Sequence, residues 1–182
     1  MNDRTSSFDH RITAQMRYAS PLGKLLLART AKGLAGAWFE NQKHHPAPFD
    51  APERDDDELL LRAAQQLEAY FSGAEDGFDV PLDLQGTPFQ RAVWGELLKL
   101  ARGTTCSYGE IAGRLGKPSA GRAVGAAVGR NPVSVIVPCH RVVGSDGSLT
   151  GYAGGLERKT VLLHVESVSR KSANSSPQLE MH

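Results

Sequence analysis

Apolar and polar positions change rhythm about halfway along the chain. The first third alternates in short runs: "RITAQMRY" (11–18), "KLLLART" (24–30) and "LAGAWF" (34–39), separated by "SPLG" and "AKG". Runs of this length, bounded by turn residues, predict strands at hairpin spacing. A polar, proline-broken loop follows, "NQKHHPAPFDAPERDDD" (41–57). Its His44–His45 pair reads as exposed rather than metal-binding. Acidic residues 55–58 suit the first turn of a helix. Leu59, Ala63, Leu67 and Tyr70/Phe71 then recur at helical spacing, and Ser72–Gly73 stops the run. A further strand is expected at "FDVPLDL" (78–84).

The second half is helical. In "GTPFQRAVWGELLKL" (86–100) Thr87 is the N-cap, Pro88 the first helical residue and Gln90 completes a capping box. Phe89, Val93, Leu97 and Leu100 line one face. "SYGEIAGRLG" (107–116) repeats the device with Ser107 and Glu110. "SAGRAVGAAVGRNP" (119–132) takes Ser119 as N-cap and stops before Pro132. The last two helices, joined by "GKPS", have the layout of a helix-turn-helix. The third carries glycines 121, 125 and 129 on one face, with Arg122 and Ala126, while Val124, Ala127 and Val128 make the buried side. Each interior glycine costs about 1 kcal/mol relative to alanine, so a close neighbour should offset them. That neighbour is either another helix or an external ligand such as a DNA groove. A cation in the first turn, Arg122, opposes the helix dipole, which favours a role outside the helix.

Charge sharpens this division. Residues 1–82 carry nine Lys/Arg and thirteen Asp/Glu, whereas residues 83–166 carry ten and six. Between Lys99 and Arg141 stand seven basic residues and one acid, Glu110. A basic surface confined to the second half suits a polyanion. No apolar stretch has the length of a membrane span, and the N-terminus lacks the apolar core of a secretory signal. The chain has two cysteines, Cys106 and Cys139, which fits neither a disulfide framework nor a zinc spacing and agrees with a reducing cytosol.

The strongest candidate chemistry is "IVPCHRVVG" (136–144). "VSVIV" (133–137) reads as a buried strand, which Pro138 ends, leaving Cys139 in an irregular turn at the edge of the core. A free thiol is only a few per cent thiolate at neutral pH, so a nucleophilic Cys139 needs a base. His140 is adjacent, but sequence neighbours do not face one another in regular structure; either a special turn or one relaying water must connect them. The histidine in turn needs an orienting acid. On residue chemistry alone Cys139 is either that nucleophile or a packed core thiol.

"PCHRVVGSDGSLTGYAGGLERKTVLL" (138–163), with "GTPFQRAVW", "SYGEIAGRLGKP" and "GRAVGAAVGRNP", resembles the O6-alkylguanine-DNA alkyltransferases over residues 78–166. The resemblance implies an α+β protein: an N-terminal ribonuclease-H-like sheet and helix (1–80), a mainly helical winged helix-turn-helix domain carrying the active site (81–168), and a disordered tail (169–182). It implies that Cys139 accepts the alkyl group, that His140 deprotonates it through a water, and that Glu166 orients the histidine. Tyr108 would donate to N3 of a flipped guanine, and Asn131 would tie the recognition helix to the active-site turn. Arg122 would fill the gap left by the extruded base. Ala123, Gly125, Ala126, Gly129 and Arg130, with Ser119 and Thr104, would meet DNA in the minor groove. Tyr108, Tyr152, Ala153, Gly154 and the carbonyls of Cys139 and Val142 would form the alkylguanine pocket. The implied partner is duplex DNA carrying O6-alkylguanine, with O4-alkylthymine beside it. A cytoplasmic monomer with no cofactor and no metal is implied, and cooperative loading on DNA stays open.

Three departures stand out. Ala153 replaces a frequent serine, "LLHVE" replaces the usual "LLxHE", and the N-terminal zinc cysteines of some relatives are absent. Two other readings compete: a non-reactive, alkyltransferase-like damage binder, which the presence of Cys139 disfavours, and a cysteine hydrolase that turns over.

Overall fold

A computed structural model describes residues 11–74 and 76–173, with side chains through residue 167. The N-terminal half is a three-stranded antiparallel sheet in the order β1 (Ala14–Ser20), β2 (Gly23–Arg29) and β3 (Leu34–Phe39). The β1–β2 turn closes with Ser20 facing Gly23, whose φ of +113° lies where glycine alone is at ease. Alternation sorts the strands' side chains onto two faces. Met16, Leu25, Leu27, Ala37 and Phe39 enter the main core, while Leu26, Ala28, Ala35 and Trp38 form a smaller cluster under Phe49 of the following loop. Both faces are covered, which is why β2 and β3 are nearly continuous apolar runs.

Helix α1 (Glu58–Phe71) starts at Asp57, whose side chain accepts from the Leu60 amide and is gripped by Arg29 at 3.1 Å. It buries Leu60, Ala63, Leu67 and Tyr70; Leu59, expected on the stripe, is only half-buried. The strand expected at 78–84 does not form. Leu34 and Leu82 make a single parallel bridge, with Leu34 N–H donating to the Pro81 carbonyl and Asp83 N–H to the Leu34 carbonyl, both at 2.8 Å. Pro81 has no N–H with which to extend the ladder. The approach is so close that a Cβ on Gly33 would lie 2.6 Å from the Pro81 oxygen.

In the second half, α2 (Pro88–Leu98), α3 (Tyr108–Arg114) and α4 (Gly121–Gly129) pack together. Both expected capping boxes, Thr87/Gln90 and Ser107/Glu110, are formed. Ser119 does not cap α4. A turn closed by the Ala120 N–H to the Lys117 carbonyl makes Ala120 the N-cap, and the helix starts without a side-chain cap. Trp94 of α2 donates its indole N–H to the Ala127 carbonyl of α4 at 2.8 Å, locking the two helices in register.

The strand expected at 133–137 is instead a fully buried series of turns. It touches the edge of β3 once, through Ala37 N–H to the Pro132 carbonyl and Ser134 N–H to the Ala37 carbonyl. It then leaves, because Val135 has a φ of +71°. A β-branched residue in that region costs on the order of 1–3 kcal/mol and reverses the chain. The segment enters a 3-10 turn, Cys139–Arg141, and then β5 (Val142–Val143), which runs parallel to β4 (Cys106–Ser107). Cys106 is buried in that pairing, and both cysteines are free thiols.

The last helix, α5 (Leu156–Ala173), overruns the tail expected from residue 169. Nothing between Leu156 and Ala173 is glycine or proline, and serines weaken a helix too little to end it. Residues 174–182 of that expected tail lie outside the described residues. No helix among the described residues is long and apolar enough to cross a membrane.

Leu67, fully buried between the sheet and α1, reports on this core. Leu67→Ala should cost about 2–5 kcal/mol, read as a lower urea midpoint at unchanged slope.

Candidate active site

Cys139 sits at the first position of the 3-10 turn and is 4% exposed. Asn131, directly after α4, shapes the approach to it. Its side-chain amide donates to the Val137 carbonyl at 2.8 Å, and its oxygen accepts from the Val133 amide at 2.9 Å. The end of α4 and the cysteine turn therefore share one buried side chain. Burial pushes the Cys139 thiol above its ordinary pKa, while the Asn131 amide and the Lys159 ammonium oppose that rise. The sulfur is therefore protonated at rest and needs a base at the moment of reaction.

The next side chain in the turn, His140, is fully buried. His140 meets Glu166 of α5 through Nε2, 2.6 Å from Oε1. An ionised carboxylate only accepts, so Nε2 carries the proton. In the neutral ring Nδ1 then holds the free lone pair, and it makes no hydrogen bond within the protein. Burial, aided by the charges of Arg141 and Lys159, lowers the pKa of His140 against the opposing pull of Glu166, which favours the neutral ring at pH 7.

Glu166 is fully buried and its charge is not left to the histidine. Arg141 donates from Nε to Oε2 at 3.0 Å and from Nη2 to Oε1 at 2.8 Å. The Tyr70 hydroxyl donates to Oε1 at 2.8 Å. Burial alone would raise the carboxyl's pKa; the hydrogen bonds from His140 and Arg141 outweigh it and hold the group well below the usual carboxylate range. Lys159 is also fully buried, its Nζ donating to the carbonyls of Val142 at 2.5 Å and Thr150 at 3.0 Å. The sequence reading gave no role to Lys159, Arg141 or Tyr70. A signal for the first was present: Lys159, Leu162 and Glu166 fall on one helical face, and charged residues there must be paired.

An open cleft of about 240 Å³ is lined by Tyr108, Gly125, Ala126, Gly129, Tyr152 and Ala153, with Lys43 and His44 of the N-terminal half. Cys139 and Val142, expected in the pocket, do not line it; Cys139 lies behind Tyr108 and Tyr152, near enough for its charge to act on both. The cleft is smaller than the roughly 300–1,000 Å³ typical of drug-sized ligands and suits one flat group. The Lys43 amide donates to the Ala153 carbonyl at 2.9 Å, so the N-terminal loop is fastened to this wall. His44 stood in the sequence only as an exposed loop residue. Tyr108 is half-buried and its hydroxyl donates to the Thr150 carbonyl at 3.0 Å. The carbonyls expected to meet a base each accept one bond already: Cys139 from the Val142 amide, and Val142 from Lys159. Each oxygen keeps a second lone pair. Gly154 does not line the cleft. It is buried, and a Cβ there would lie 2.7 Å from the Tyr152 ring and 3.3 Å from Phe39.

The glycine face of α4 is not packed on another helix. A Cβ on Gly121 or Gly129 would meet no protein atom within 4 Å, and one on Gly125 would just touch Tyr108 at 3.7 Å. Arg122, Ala123, Ala126 and Arg130 are exposed on the same helix, as is Ser119 ahead of it. Thr104 is exposed as well, its hydroxyl donating to the Ala101 carbonyl at 2.6 Å.

Comparison with known proteins agrees with this geometry. The family model described as 6-O-methylguanine DNA methyltransferase, ribonuclease-like domain, matches residues 16–84, and that of the DNA binding domain of the same family matches residues 88–168. A methylated-DNA–protein-cysteine methyltransferase of Methanosarcina barkeri is 49% identical over 148 residues, spanning 81% of this chain and 92% of the relative. One of Mycobacterium bovis is 48% identical over 147 residues, spanning 81% and 88%. The crystal structure of Mycobacterium tuberculosis OGT in complex with DNA superposes with a TM-score of 0.81 at 43% identity, covering 86% of this chain and 94% of that one. With identity of this level across both halves, the chain belongs to the methylated-DNA–protein-cysteine methyltransferase family.

Proposed function

We propose that the protein repairs DNA by moving the alkyl group of O6-alkylguanine irreversibly onto its own Cys139. The observation that carries this reading is a protonated, buried thiol followed in the same turn by a histidine whose Nε2 is held by Glu166 at 2.6 Å and whose Nδ1 makes no hydrogen bond within the protein. The two half-domains meet between residues 80 and 81, and the second presents the basic helix-turn-helix to duplex DNA.

A base inside the stack is out of reach of a buried sulfur, so the damaged nucleotide is flipped into the cleft beside Tyr108. The exposed glycine and alanine face of α4 lets the helix backbone approach a groove closely. The helix's uncapped N-terminus suits a phosphate, and Arg122 fills the vacated stack. Arg130 and neighbouring basic residues hold the backbone without reading sequence. The Cys139 proton passes through one water to His140 Nδ1, and the imidazolium is steadied by Glu166. The sulfur attacks the alkyl carbon, the C–S bond forms as the C–O6 bond breaks, and that electron pair leaves with the guanine. Tyr108, once its hydroxyl turns from the Thr150 carbonyl to the guanine N3, eases the departing charge. The product is a thioether that water does not cleave, so each molecule reacts once.

Incubation with excess O6-methylguanine duplex should add one methyl increment to the intact mass, located on Cys139, with no further product. Cys139→Ala should still bind the duplex and gain no mass. Binding without a mass change in the unaltered protein would instead mark a damage binder, and continuing product a hydrolase. Arg122→Ala should slow transfer from duplex by about tenfold or more, the cost of losing a wedge side chain, and slow transfer from the free alkylated base far less. The rate should fall on acidification with a midpoint below the ordinary imidazole value of about 6.5, because burial lowers the pKa of His140. A stopped-flow pH series on the methylated duplex measures it.

A further inference from the structure

The carboxylate that holds His140 is reached from the other half of the protein. Tyr70 stands in the last turn of α1, and its hydroxyl crosses 96 residues of sequence to donate to Glu166 Oε1 at 2.8 Å, the same oxygen that His140 contacts at 2.6 Å. The ring is 4% exposed and fixed by Phe71 at 5.3 Å, Phe78 at 5.7 Å and the guanidinium of Arg102 at 4.7 Å. These contacts leave the hydroxyl with little choice of direction.

We infer that Tyr70 is a positioning residue for alkyl transfer: by sharing Glu166 Oε1 with His140 it sets how strongly the carboxylate draws on the imidazole, and so makes the N-terminal half part of the active site. This rests on the function proposed above.

The physical reason is competition for one oxygen. A carboxylate serving a single histidine would stabilise the imidazolium strongly and leave the ring protonated and useless as a base. Here Arg141 supplies the countercharge and Tyr70 a neutral donor, so the negative charge is spread before the histidine draws on it. The remaining charged or titratable groups around the pair are Arg102 against Tyr70, Lys159 against His140, and Tyr152 against Tyr70 and Cys139. Lys159, like Arg141, disfavours a protonated ring, and the thiol is neutral at rest. Tyr70 itself stays protonated, since burial and the adjacent Glu166 charge push its pKa up. It is therefore a constant donor at every working pH.

Tyr70→Phe removes the oxygen and keeps the ring contacts. The His140 titration midpoint, followed by NMR on unreacted protein without substrate, should rise by roughly half a unit to one unit. The acid limb of the transfer rate should move up with it, and the plateau rate should fall about three- to tenfold. Affinity for the methylated duplex should not change. Incorporation of 3-fluorotyrosine at position 70, a stronger donor of the same shape, should move both midpoints the other way and serves if the phenylalanine variant does not fold. An unmoved His140 midpoint in both variants overturns the inference. A moved midpoint in a protein that transfers no methyl group even when unaltered would uphold the tyrosine's hold on the pair and overturn the alkyl-transfer reading instead.

Discussion

A single buried carboxylate organises this protein. Glu166 has no access to solvent, and an unpaired charge there would cost several kcal/mol. It is met by the imidazole of His140, the guanidinium of Arg141 and the hydroxyl of Tyr70. Those donors come from the active-site turn and from α1, while the carboxylate rides on α5. Satisfying the charge therefore requires both halves to be in place. The same requirement fixes the histidine tautomer, since an acceptor at Nε2 leaves only Nδ1 as the base.

The turn that carries the cysteine is held from two directions. β3 offers Ala37 as a one-residue edge contact, and Asn131 grips the Val133 and Val137 backbone from the end of α4. Between these anchors Val135 is forced to a positive φ. Such strain persists only where surroundings over-determine the backbone, and it is commonest at functional sites. Here it redirects an apolar segment out of a strand path and into the 3-10 turn that begins with Cys139.

The cleft and helix α4 share a wall. Gly125 sits against Tyr108, whereas Gly121 and Gly129 face no protein neighbour. The conformational cost of these glycines is thus not offset within the folded chain. It is consistent with a surface shaped for close approach to something outside it. Lys43 and His44, from the loop after β3, complete the opposite side and extend the N-terminal contribution from the acid to the mouth of the pocket.

How much of this was legible beforehand follows from the range of the forces involved. Both capping boxes, the β-hairpin, β3 and the buried side of α4 depend on residues within a few positions of one another, and the sequence by itself determined them. The cysteine, histidine and acid were legible as a motif because their spacing resembles a family, not because any local rule brings residue 140 to residue 166. Local rules failed where distant parts intervene. "VSVIV" has every preference for a strand, yet the Asn131 and β3 contacts bend it. "FDVPLDL" reads as a strand, but Pro81 leaves it one bridge. Ser119 reads as a cap, and a turn one residue later takes its place. Lys159, Arg141 and Tyr70 acquire meaning only through tertiary structure, since the oxygen atoms they serve lie on other elements. A buried charge must find its partners wherever packing delivers them, and that is decided by the fold as a whole.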